Sequence, residues 1–128
     1  MTSPLFSVII VSWNTRDLTL KAIQSVYDQQ KSNVEIIVVD NASSDDTVTA
    51  IQNEFPDVQV IANENNLGYA RANNLGMQQA RGDYFVLLNS DAEIKSPGLF
   101  DTVKQIFETH STLGILGGTL RLTSGAIQ

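Results

Sequence analysis

The chain has 128 residues, of which 42% are hydrophobic and 17% are charged, a size and balance typical of one globular domain with a single core. Its formal charge of -6 and its eight scattered Lys and Arg residues argue against a nucleic-acid-binding surface, because phosphate backbones would be repelled. With no cysteine, disulfides and thiolate metal sites are excluded, and any metal must be held by oxygen or by the single histidine.

Membrane and export signals are not found in the sequence. No apolar run approaches the roughly 20 residues that a membrane-spanning helix needs. The first residues lack the basic flank and the long apolar core of a signal peptide. We therefore expect a cytoplasmic protein.

Periodicity, capping residues and breakers predict strands that alternate with helices along the chain. The predicted strands are Phe6–Trp13, Val34–Val39, Val58–Ala62 and Asp83–Leu88. The predicted helices are Asp17–Gln30 with Thr15 as a cap, a helix after Ser43 that runs to Phe55, Tyr69–Gly82, and a helix that starts at Ser96-Pro97. Leu113–Gly117 is a candidate fifth strand, and Leu120–Leu122 would begin another.

This alternation predicts the fold class. Four strand-helix units imply right-handed crossovers and a mainly parallel sheet that is covered by helices on both faces. We therefore expect a Rossmann-like, three-layer α/β/α fold, with Phe6–Trp13 as a central strand. No internal repeat or linker interrupts residues 1–128, which we interpret as a single domain.

Two of the predicted strands change abruptly from apolar to polar residues at their ends. Five apolar residues, Tyr84–Leu88, are followed by Asn89-Ser90-Asp91, and Val34–Val39 is followed by Asp40-Asn41. The run before Asn89 predicts a strand that is buried on both faces. In open α/β sheets, ligands bind beyond the carboxyl ends of the strands, so both polar turns are candidate functional sites.

The two acids suit different parts of one ligand. Asp40 is suited to accept hydrogen bonds from a ribose or from the N–H of a base. Asp91 is suited to a hard divalent cation such as Mg²⁺ or Mn²⁺, which keeps several waters and takes diphosphate oxygens as further ligands. We expect these two carboxylates to meet across one cleft.

Four stretches together resemble the family 2 glycosyltransferases, and the resemblance spans nearly all of Val8 to Gly118. They are Ser7–Asn14 (SVIIVSWN), Ile36–Thr47 (IIVVDNASSDDT), Asn65–Gly76 (NNLGYARANNLG) and Phe85–Glu93 (FVLLNSDAE). The Leu-Asn-Ser-Asp form is similar to the rhamnosyltransferase-like branch of that family. The resemblance implies the GT-A fold.

The same resemblance implies roles for individual residues. The nucleotide would be bound by Ser12, Asn14, Asp40, Asn66, Gly68, Arg71 and Asn89. The metal ligand would be Asp91, although Asn89 stands where the family's motif has its first Asp. Asp45 and Thr47 match a Ser-x-Asp-x-Thr signature, which we interpret chiefly as a cap for the second helix.

The implied reaction transfers a sugar, with rhamnose as one candidate, from a dTDP- or UDP-sugar to a glycan or lipid-linked acceptor with inversion. A divalent cation would stabilise the departing diphosphate, and a carboxylate base would take the proton of the acceptor. Family members carry that base in a later segment, so we expect these residues to be the nucleotide-binding part of a longer enzyme of polysaccharide biosynthesis. We expect the full-length protein to be cytoplasmic and peripheral to the inner face of the membrane.

Three other functions make different demands on the sequence. A non-catalytic module that binds nucleotide sugars predicts the same binding without transfer, and the sequence leaves it open. A receiver-type signalling domain needs an acidic cluster after the first strand, an acceptor Asp after the third and a Lys after the fifth, and the sequence meets none of these. A sugar-nucleotide pyrophosphorylase needs a basic, Gly-rich loop after the first strand, which is also missing.

Some conspicuous residues are given structural interpretations. We expect His110 to complement the dipole at a helix end or to be exposed, and Glu93 to face solvent. Trp13 fits a buried position at a strand end slightly better than stacking on a base. The apolar stretch from Leu120 to Ile127 is expected to pair with another copy of the chain or to lack fixed structure, since open edges invite association.

Overall fold

The computed structural model describes residues 5–128, which form two units, one that ends at Pro97 and a second, Gly98–Gln128. The strands are β1 (Phe6–Ser12), β2 (Val34–Asp40), β3 (Gln59–Ala62) and β4 (Tyr84–Leu87). The helices are α1 (Arg16–Tyr27), α2 (Thr47–Glu54), α3 (Tyr69–Gln79) and α4 (Leu99–Thr109). All four predicted strands and all four predicted helices are present, with bounds that differ by a few residues.

The four strands form one parallel sheet in the order β3-β2-β1-β4. The predicted α/β class and the central position of β1 are confirmed. Between β1 and β2 the register runs from Phe6 opposite Val34 to Ser12 opposite Asp40. From β1 the chain adds β2 and then β3 on one side of β1. The connection through α3 then crosses to the other side of β1, where β4 lies, so the strand order reverses between β1 and β4.

Helices cover the two faces of the sheet in the first unit. Side chains alternate along a strand, and α3 packs on the face that carries Ile9 and Val39, where a Cβ on Gly76 would lie 2.6 Å from Ile9 Cγ2. The hydroxyl of Thr19 in α1 lies 2.9 Å from that of Ser12, which belongs to the opposite face. Small residues of α3, Ala72 and Gly76, allow this close approach.

Strand β4 corrects one prediction. It lies at the edge of the four-stranded sheet, and Phe85 and Leu87 are each 49% exposed, so β4 is not buried on both faces. Tyr84 faces the other way and stacks on Phe6 with ring centroids 5.3 Å apart. A run of apolar residues indicates a strand but does not report how many neighbours that strand has.

Two helix starts also differ from the prediction. Helix α2 begins at Thr47, because Asp46 adopts a left-handed conformation with φ of 59°, and Ser43 does not cap it. Helix α4 begins at Leu99 after Gly98 with φ of 70°, rather than at Ser96-Pro97. In both places a left-handed residue sets the direction of the chain as it enters the helix.

The second unit contains α4 and an extended segment. His110 follows α4 and is exposed, with its Nδ1 3.0 Å from the carbonyl oxygen of Ile106, as expected of a helix end. Neither Leu113–Gly117 nor Leu120–Leu122 forms a strand. The extended segment has one isolated antiparallel bridge, between Arg121 and Ile127.

Exposed apolar side chains are concentrated in this extended segment, and Ile115 and Ile127 are 89% and 66% exposed. Association through Leu120–Ile127 therefore stays a prediction. Among residues 5–128, no helix is both long enough and apolar enough to cross a membrane.

A carboxylate joins three segments at the amino-terminal edge of the sheet. Glu35 accepts hydrogen bonds from the Ser7 hydroxyl at 2.5 Å and from the backbone N–H of Arg81 at 2.6 Å. The Arg81 guanidinium lies 3.0 Å from the same carboxylate, and the Gly82 N–H donates to Ser7 Oγ. Burial raises the pKa of Glu35, but these hydrogen bonds and the Arg81 charge outweigh it and hold the pKa below its ordinary value.

Replacing Gly82 by Ala should destabilise the first unit. A Cβ at this position would lie 2.7 Å from the backbone nitrogen and from the hydroxyl of Ser7, so the backbone must shift. We expect a loss of roughly 1–3 kcal/mol in the free energy of unfolding, measured by urea denaturation. Gly117→Ala is the control, since nothing lies within 4 Å of its added Cβ. Equal losses for the two variants would contradict the packing.

Glu35→Gln should reduce stability in a pH-dependent way. Because the folded pKa of Glu35 is lowered, its stabilisation is fully present above its unfolded pKa of about 4.3 and is lost as the pH falls through the folded pKa. Urea denaturation of both proteins between about pH 3 and pH 7 should show a difference that shrinks on the acid side. Glu54→Gln, on exposed α2 surface, reports the general effect of removing a glutamate. A difference that grows on acidification would contradict this assignment.

Candidate functional site

A cavity of about 450 Å³ opens at the carboxyl end of the sheet, between β1 and β4. Its lining residues come from four segments of the first unit and are Val11, Thr15, Leu18, Tyr69, Asn89, Ser90 and Asp91. This is the place where the strand order reverses, which is where open α/β sheets bind ligands. We call this cavity the switch-point cleft.

The cleft exists because the two ladders of β1 have different lengths. The β1–β2 ladder continues to Ser12 opposite Asp40, whereas the β1–β4 ladder ends at Ile9 opposite Leu87. One more backbone hydrogen bond runs from the Leu88 N–H to the Ile9 carbonyl oxygen at 3.0 Å. Beyond this point β1 and the chain after β4 are no longer paired, and the side chains that line the cleft surround the space between them.

The loop Asn89–Asp91 forms one wall of the cleft. The Tyr69 hydroxyl donates to Asn89 Oδ1 at 3.0 Å, and the Thr15 hydroxyl donates to Ser90 Oγ at 3.1 Å. Asp91 itself is exposed and lines the cleft. Its carboxylate is therefore presented to the cleft, while its two neighbours make the contacts with other segments.

Thr15 belongs to a small cluster of hydroxyl groups beneath the cleft. Its Oγ1 lies 3.2 Å from the Ser12 hydroxyl and 3.2 Å from that of Thr19, and Ser12 and Thr19 are both fully buried. Mutual hydrogen bonding satisfies these buried groups. Ser12, which the resemblance predicted to bind the nucleotide, thus has its hydroxyl in this cluster.

Asp40 holds the loop that follows its own strand. It is 2% exposed, and its carboxylate accepts from the Ser43 N–H at 2.9 Å and from the Ser43 hydroxyl at 2.6 Å. Ser43 in turn accepts from the Asn14 N–H, and Asn14 Oδ1 accepts from the Ser44 N–H, both at 2.8 Å. Asp40 and Asn14 therefore join the loops after β1 and β2.

Asp45 links the starts of two helices. Its carboxylate accepts from the Arg16 N–H at the start of α1 at 2.9 Å, and from the N–H and hydroxyl of Thr47 at the start of α2. Burial raises the pKa of Asp45, but the hydrogen bonds from Thr47 and Arg16 outweigh it and lower the pKa overall. Asp45 thus accepts from N–H groups at the starts of both helices, although the N-cap positions are Thr15 for α1 and Asp46 for α2.

Left-handed backbone conformations accompany this network. Among residues 5–128, the non-glycine residues with positive φ are Asn14, Gln30, Ala42 and Asp46. Three of these four lie in the loops after β1 and β2. Ala42, with φ of 63°, has no side-chain hydrogen bond to offset the steric cost of this conformation. Such strain is typical of loops that position a site.

The loop before α3 supplies further predicted site residues. Asn66 Oδ1 accepts from the N–H of Gly68, whose φ of 81° precedes the first turn of α3. Asn41 donates to the Gly68 carbonyl oxygen at 3.3 Å, so this loop is joined to the end of β2. Arg71 lies in the first turn of α3 and is exposed.

The structure brings together some of the predicted site residues and not others. Asn89 and Asp91 line the switch-point cleft. Asn14 lines an adjoining cavity of about 400 Å³, which shares Thr15 and Leu18 with the cleft. Asp40 is not among the residues that line the cleft, and its buried carboxylate accepts two hydrogen bonds from Ser43.

The structure also tests the predicted exposure of two residues near the cleft, Trp13 and Glu93. Trp13 is 55% exposed, so the expectation of a buried side chain was wrong: it follows the last residue of β1, where the sheet no longer covers it. Glu93 is exposed and pairs with Lys95, in line with the expected solvent-facing position.

Sequence reasoning missed two residues of the cleft, Thr15 and Tyr69, which donate hydrogen bonds to the loop Asn89–Asp91. Thr15 was interpreted only as a helix cap and Tyr69 only as a helix start. Thr15 and Ser90 are 75 positions apart in sequence. The sequence did contain a signal for these contacts. The residues involved follow predicted strands or start predicted helices, and such positions meet at the carboxyl end of a parallel sheet.

The described residues do not form a metal site by themselves. Among residues 5–128, no three carboxylate or imidazole side chains lie close enough to hold a metal by themselves. Asp91 contributes one exposed carboxylate to the cleft, and the oxygen of Asn89 already accepts from Tyr69. This donor set fits a Mg²⁺ or Mn²⁺ ion whose remaining ligands are waters and ligand phosphates.

Comparison with known proteins identifies the family. Residues 7–119 match the sequence profile described as "Glycosyl transferase family 2". The chain is 37% identical over 89 residues to the Escherichia coli protein named UDP-Glc:alpha-D-GlcNAc-diphosphoundecaprenol beta-1,3-glucosyltransferase, covering 68% of this chain and 35% of that protein.

A second relative has a related name. The chain is 37% identical over 106 residues to the GalNAc(5)-diNAcBac-PP-undecaprenol beta-1,3-glucosyltransferase of Campylobacter jejuni, covering 80% of this chain and 34% of that protein. The first curated relatives are matched over 36% to 50% of their own length. The chain thus spans between about a third and a half of the length of these relatives.

A solved structure shares the fold. A mannosyltransferase of Pyrobaculum calidifontis, in complex with GDP-Man and Mn²⁺, superposes with a TM-score of 0.74 at 24% identity. The superposition covers 84% of this chain and 33% of that chain. This likeness supports the fold and agrees with the parallel α/β sheet described above.

Replacing Asp45 by Ala should weaken the joint between the first two strand-helix loops. The change removes the acceptor for N–H groups at the start of α1 and α2, and losing one cap costs about 0.5–2 kcal/mol. Urea denaturation should show a loss in that range. The control is Asp83→Ala, which removes an exposed carboxylate next to β4. A variant as stable as this control would mean that the Asp45 contacts do not hold the loops.

Proposed function

The chain belongs to glycosyl transferase family 2, and from this premise we propose that it binds the nucleoside-diphosphate sugar that such an enzyme uses as donor. The transfer reaction itself, with inversion at the anomeric carbon, is proposed for the protein of which this chain would be the donor-binding part. The switch-point cleft is the proposed donor site.

The observation that carries the proposal is the setting of Asp91. The residue lines a cleft of about 450 Å³ where the strand order reverses, and its carboxylate is exposed there. Thr15 and Tyr69, next to the first turns of α1 and α3, also line the cleft. Helix starts present partial positive charge, which favours a diphosphate.

A divalent cation would offset the repulsion between Asp91 and a bound diphosphate. The chain has a formal charge of -6, and a diphosphate next to the Asp91 carboxylate would be repelled without a counter-ion. Asp91 would hold Mg²⁺ or Mn²⁺ together with the diphosphate oxygens and waters. When bound, the cation would stabilise the charge that develops on the departing diphosphate.

The protein residues would bind and orient the nucleotide. Arg71 is an exposed cation in the first turn of α3, suited to a phosphate or to a base carbonyl. Asn66 and Gly68 shape the loop that leads to it. Asp40 would reach a base or ribose only if Ser43 gave up one of its two hydrogen bonds to the carboxylate, because Asp40 is 2% exposed.

The donor and the acceptor are proposed at the level of chemical class. The resemblance of Leu88–Asp91 to the rhamnosyltransferase-like branch supports a dTDP-sugar, whereas the E. coli relative is named for UDP-Glc. Both named relatives carry a diphosphoundecaprenol or PP-undecaprenol acceptor in their names, which supports a lipid-linked glycan as acceptor. Such an acceptor would place the working enzyme at the cytoplasmic face of a membrane.

Nucleotide binding should stabilise the chain, and Mn²⁺ should increase the effect. Thermal unfolding is measured with UDP, dTDP and GDP, each with and without Mn²⁺. A nucleotide at 100 times its dissociation constant adds about 2.7 kcal/mol to the free energy of unfolding. The nucleotide that stabilises most identifies the base of the donor, and dTDP would support a rhamnose donor.

Asp91→Ala tests whether the metal effect arises at the cleft. This variant should lose the Mn²⁺-dependent part of the shift, because the carboxylate presented to the cleft is gone. Asp83→Ala, which removes an exposed carboxylate at the start of β4, should keep that part. A folded wild type with no shift for any nucleotide would refute donor binding, and an equal metal effect in both variants would refute the role of Asp91.

A further inference from the structure

The loop that carries Asp91 is connected to β1 by few backbone hydrogen bonds. In the part of the chain that the structure describes, the last backbone bond from β4 to β1 is that of the Leu88 N–H to the Ile9 carbonyl oxygen. The loop closes on itself through the Ala92 N–H and the Asn89 carbonyl oxygen at 3.0 Å. Its backbone alone does not fix where Asp91 points.

The far end of the loop is anchored inside the first unit. The Ile94 N–H donates to the Ser25 hydroxyl at 2.9 Å, and both residues are buried. Ser25 Oγ in turn donates to the carbonyl oxygen of Ala22 within α1. Leu88 and Ile94 therefore mark the two fixed ends of a segment whose middle residue is Asp91.

Between these ends, two side-chain hydrogen bonds attach the loop to opposite walls of the cleft. Tyr69, from α3, donates to Asn89 at 3.0 Å, and Thr15, from the start of α1, donates to Ser90 at 3.1 Å. The attached residues are the two that immediately precede Asp91. Two hydrogen bonds from different elements restrict both the position and the rotation of the loop.

The two donors are themselves held in different ways. Thr15 lies within 3.2 Å of the buried hydroxyls of Ser12 and Thr19, so its hydroxyl is part of a cluster fixed by the core. Tyr69 is 53% exposed, and its ring forms part of the cleft wall. The hydrogen bond of Tyr69 is thus open to solvent, whereas the donor of the other hydrogen bond, Thr15, contacts the buried hydroxyls of Ser12 and Thr19.

Building on the proposed donor site, we propose that Thr15 and Tyr69 are positioning residues, which act through Ser90 and Asn89 to hold the Asp91 carboxylate toward the metal-bound diphosphate. In this arrangement Asn89 serves as an anchor for the loop, since its amide oxygen accepts the Tyr69 hydroxyl. Losing either bond should loosen the loop and weaken the metal-dependent part of nucleotide binding, while leaving the fold intact.

The test is a pair of double-mutant cycles, Tyr69→Phe with Asn89→Ala and Thr15→Val with Ser90→Ala. The first readout is hydrogen exchange at the amides of residues 90–92, which needs no ligand. The second is the ratio of dissociation constants with and without Mn²⁺ for the nucleotide that stabilises the wild type most. Tyr27→Phe is the matched control, since it removes a hydroxyl at the other end of α1, where the ring stacks on Phe55.

If the proposal holds, each single variant reduces the Mn²⁺ effect about threefold to tenfold, the range of one lost hydrogen bond. Exchange at residues 90–92 accelerates by a similar factor, and the melting temperature stays near that of Tyr27→Phe. Each double variant is no worse than its more severe single variant, because the two members of a pair share one bond. Asn89→Asp, which keeps an acceptor oxygen, retains slow exchange.

Other results would overturn the proposal in distinguishable ways. Additive effects within a pair, or exchange and Mn²⁺ effects equal to those of Tyr27→Phe, would refute positioning while the donor site stands. Faster exchange with an unchanged Mn²⁺ effect would show hydrogen bonds that order the loop but do not serve the metal. A wild type that binds no nucleotide would refute the proposed function, and the inference that rests on it.

Discussion

The unequal length of the two hydrogen-bond ladders of β1 is the constraint on which the rest of the structure depends. Pairing with β2 continues to Ser12 opposite Asp40, but pairing with β4 stops at Ile9 opposite Leu87. Because β1 lies between its neighbours, the missing pairs leave a gap at the carboxyl edge of the sheet. That gap is the switch-point cleft, and a ligand can fill it without breaking backbone pairing.

Where the backbone pairing of the strands ends, side-chain hydrogen bonds connect the segments that follow. Asp40 and Asp45 accept hydrogen bonds from loop and helix-start N–H groups, and so join the segments that follow β1 and β2. Thr15 and Tyr69 play the corresponding part for the loop after β4. The carboxylates of Asp40 and Asp45 are thus hydrogen-bonded to loops and helix starts. Asp91 is the acid that lines the cleft.

This arrangement supports the donor binding that we propose for the chain, which belongs to glycosyl transferase family 2. A diphosphate brings its own oxygens to a cation, so one protein carboxylate can complete the coordination if it is well oriented. Orientation then matters more than the number of acids. In the proposed site, where Asn89 stands at the position of a second acid, the hydrogen bonds to Asn89 and Ser90 would orient Asp91.

By itself, the sequence determined the alternation of four strands and four helices, the parallel α/β class and the polar turns at Asp40 and Asp91, because periodicity and strand ends are local properties. It did not determine that β4 is an edge strand, nor that Asp40 turns inward to Ser43. Only the tertiary structure decided these, along with the pairing of Thr15 with Ser90. Contacts between residues 75 positions apart depend on strand order and on where each ladder ends, and neither is written in any one segment.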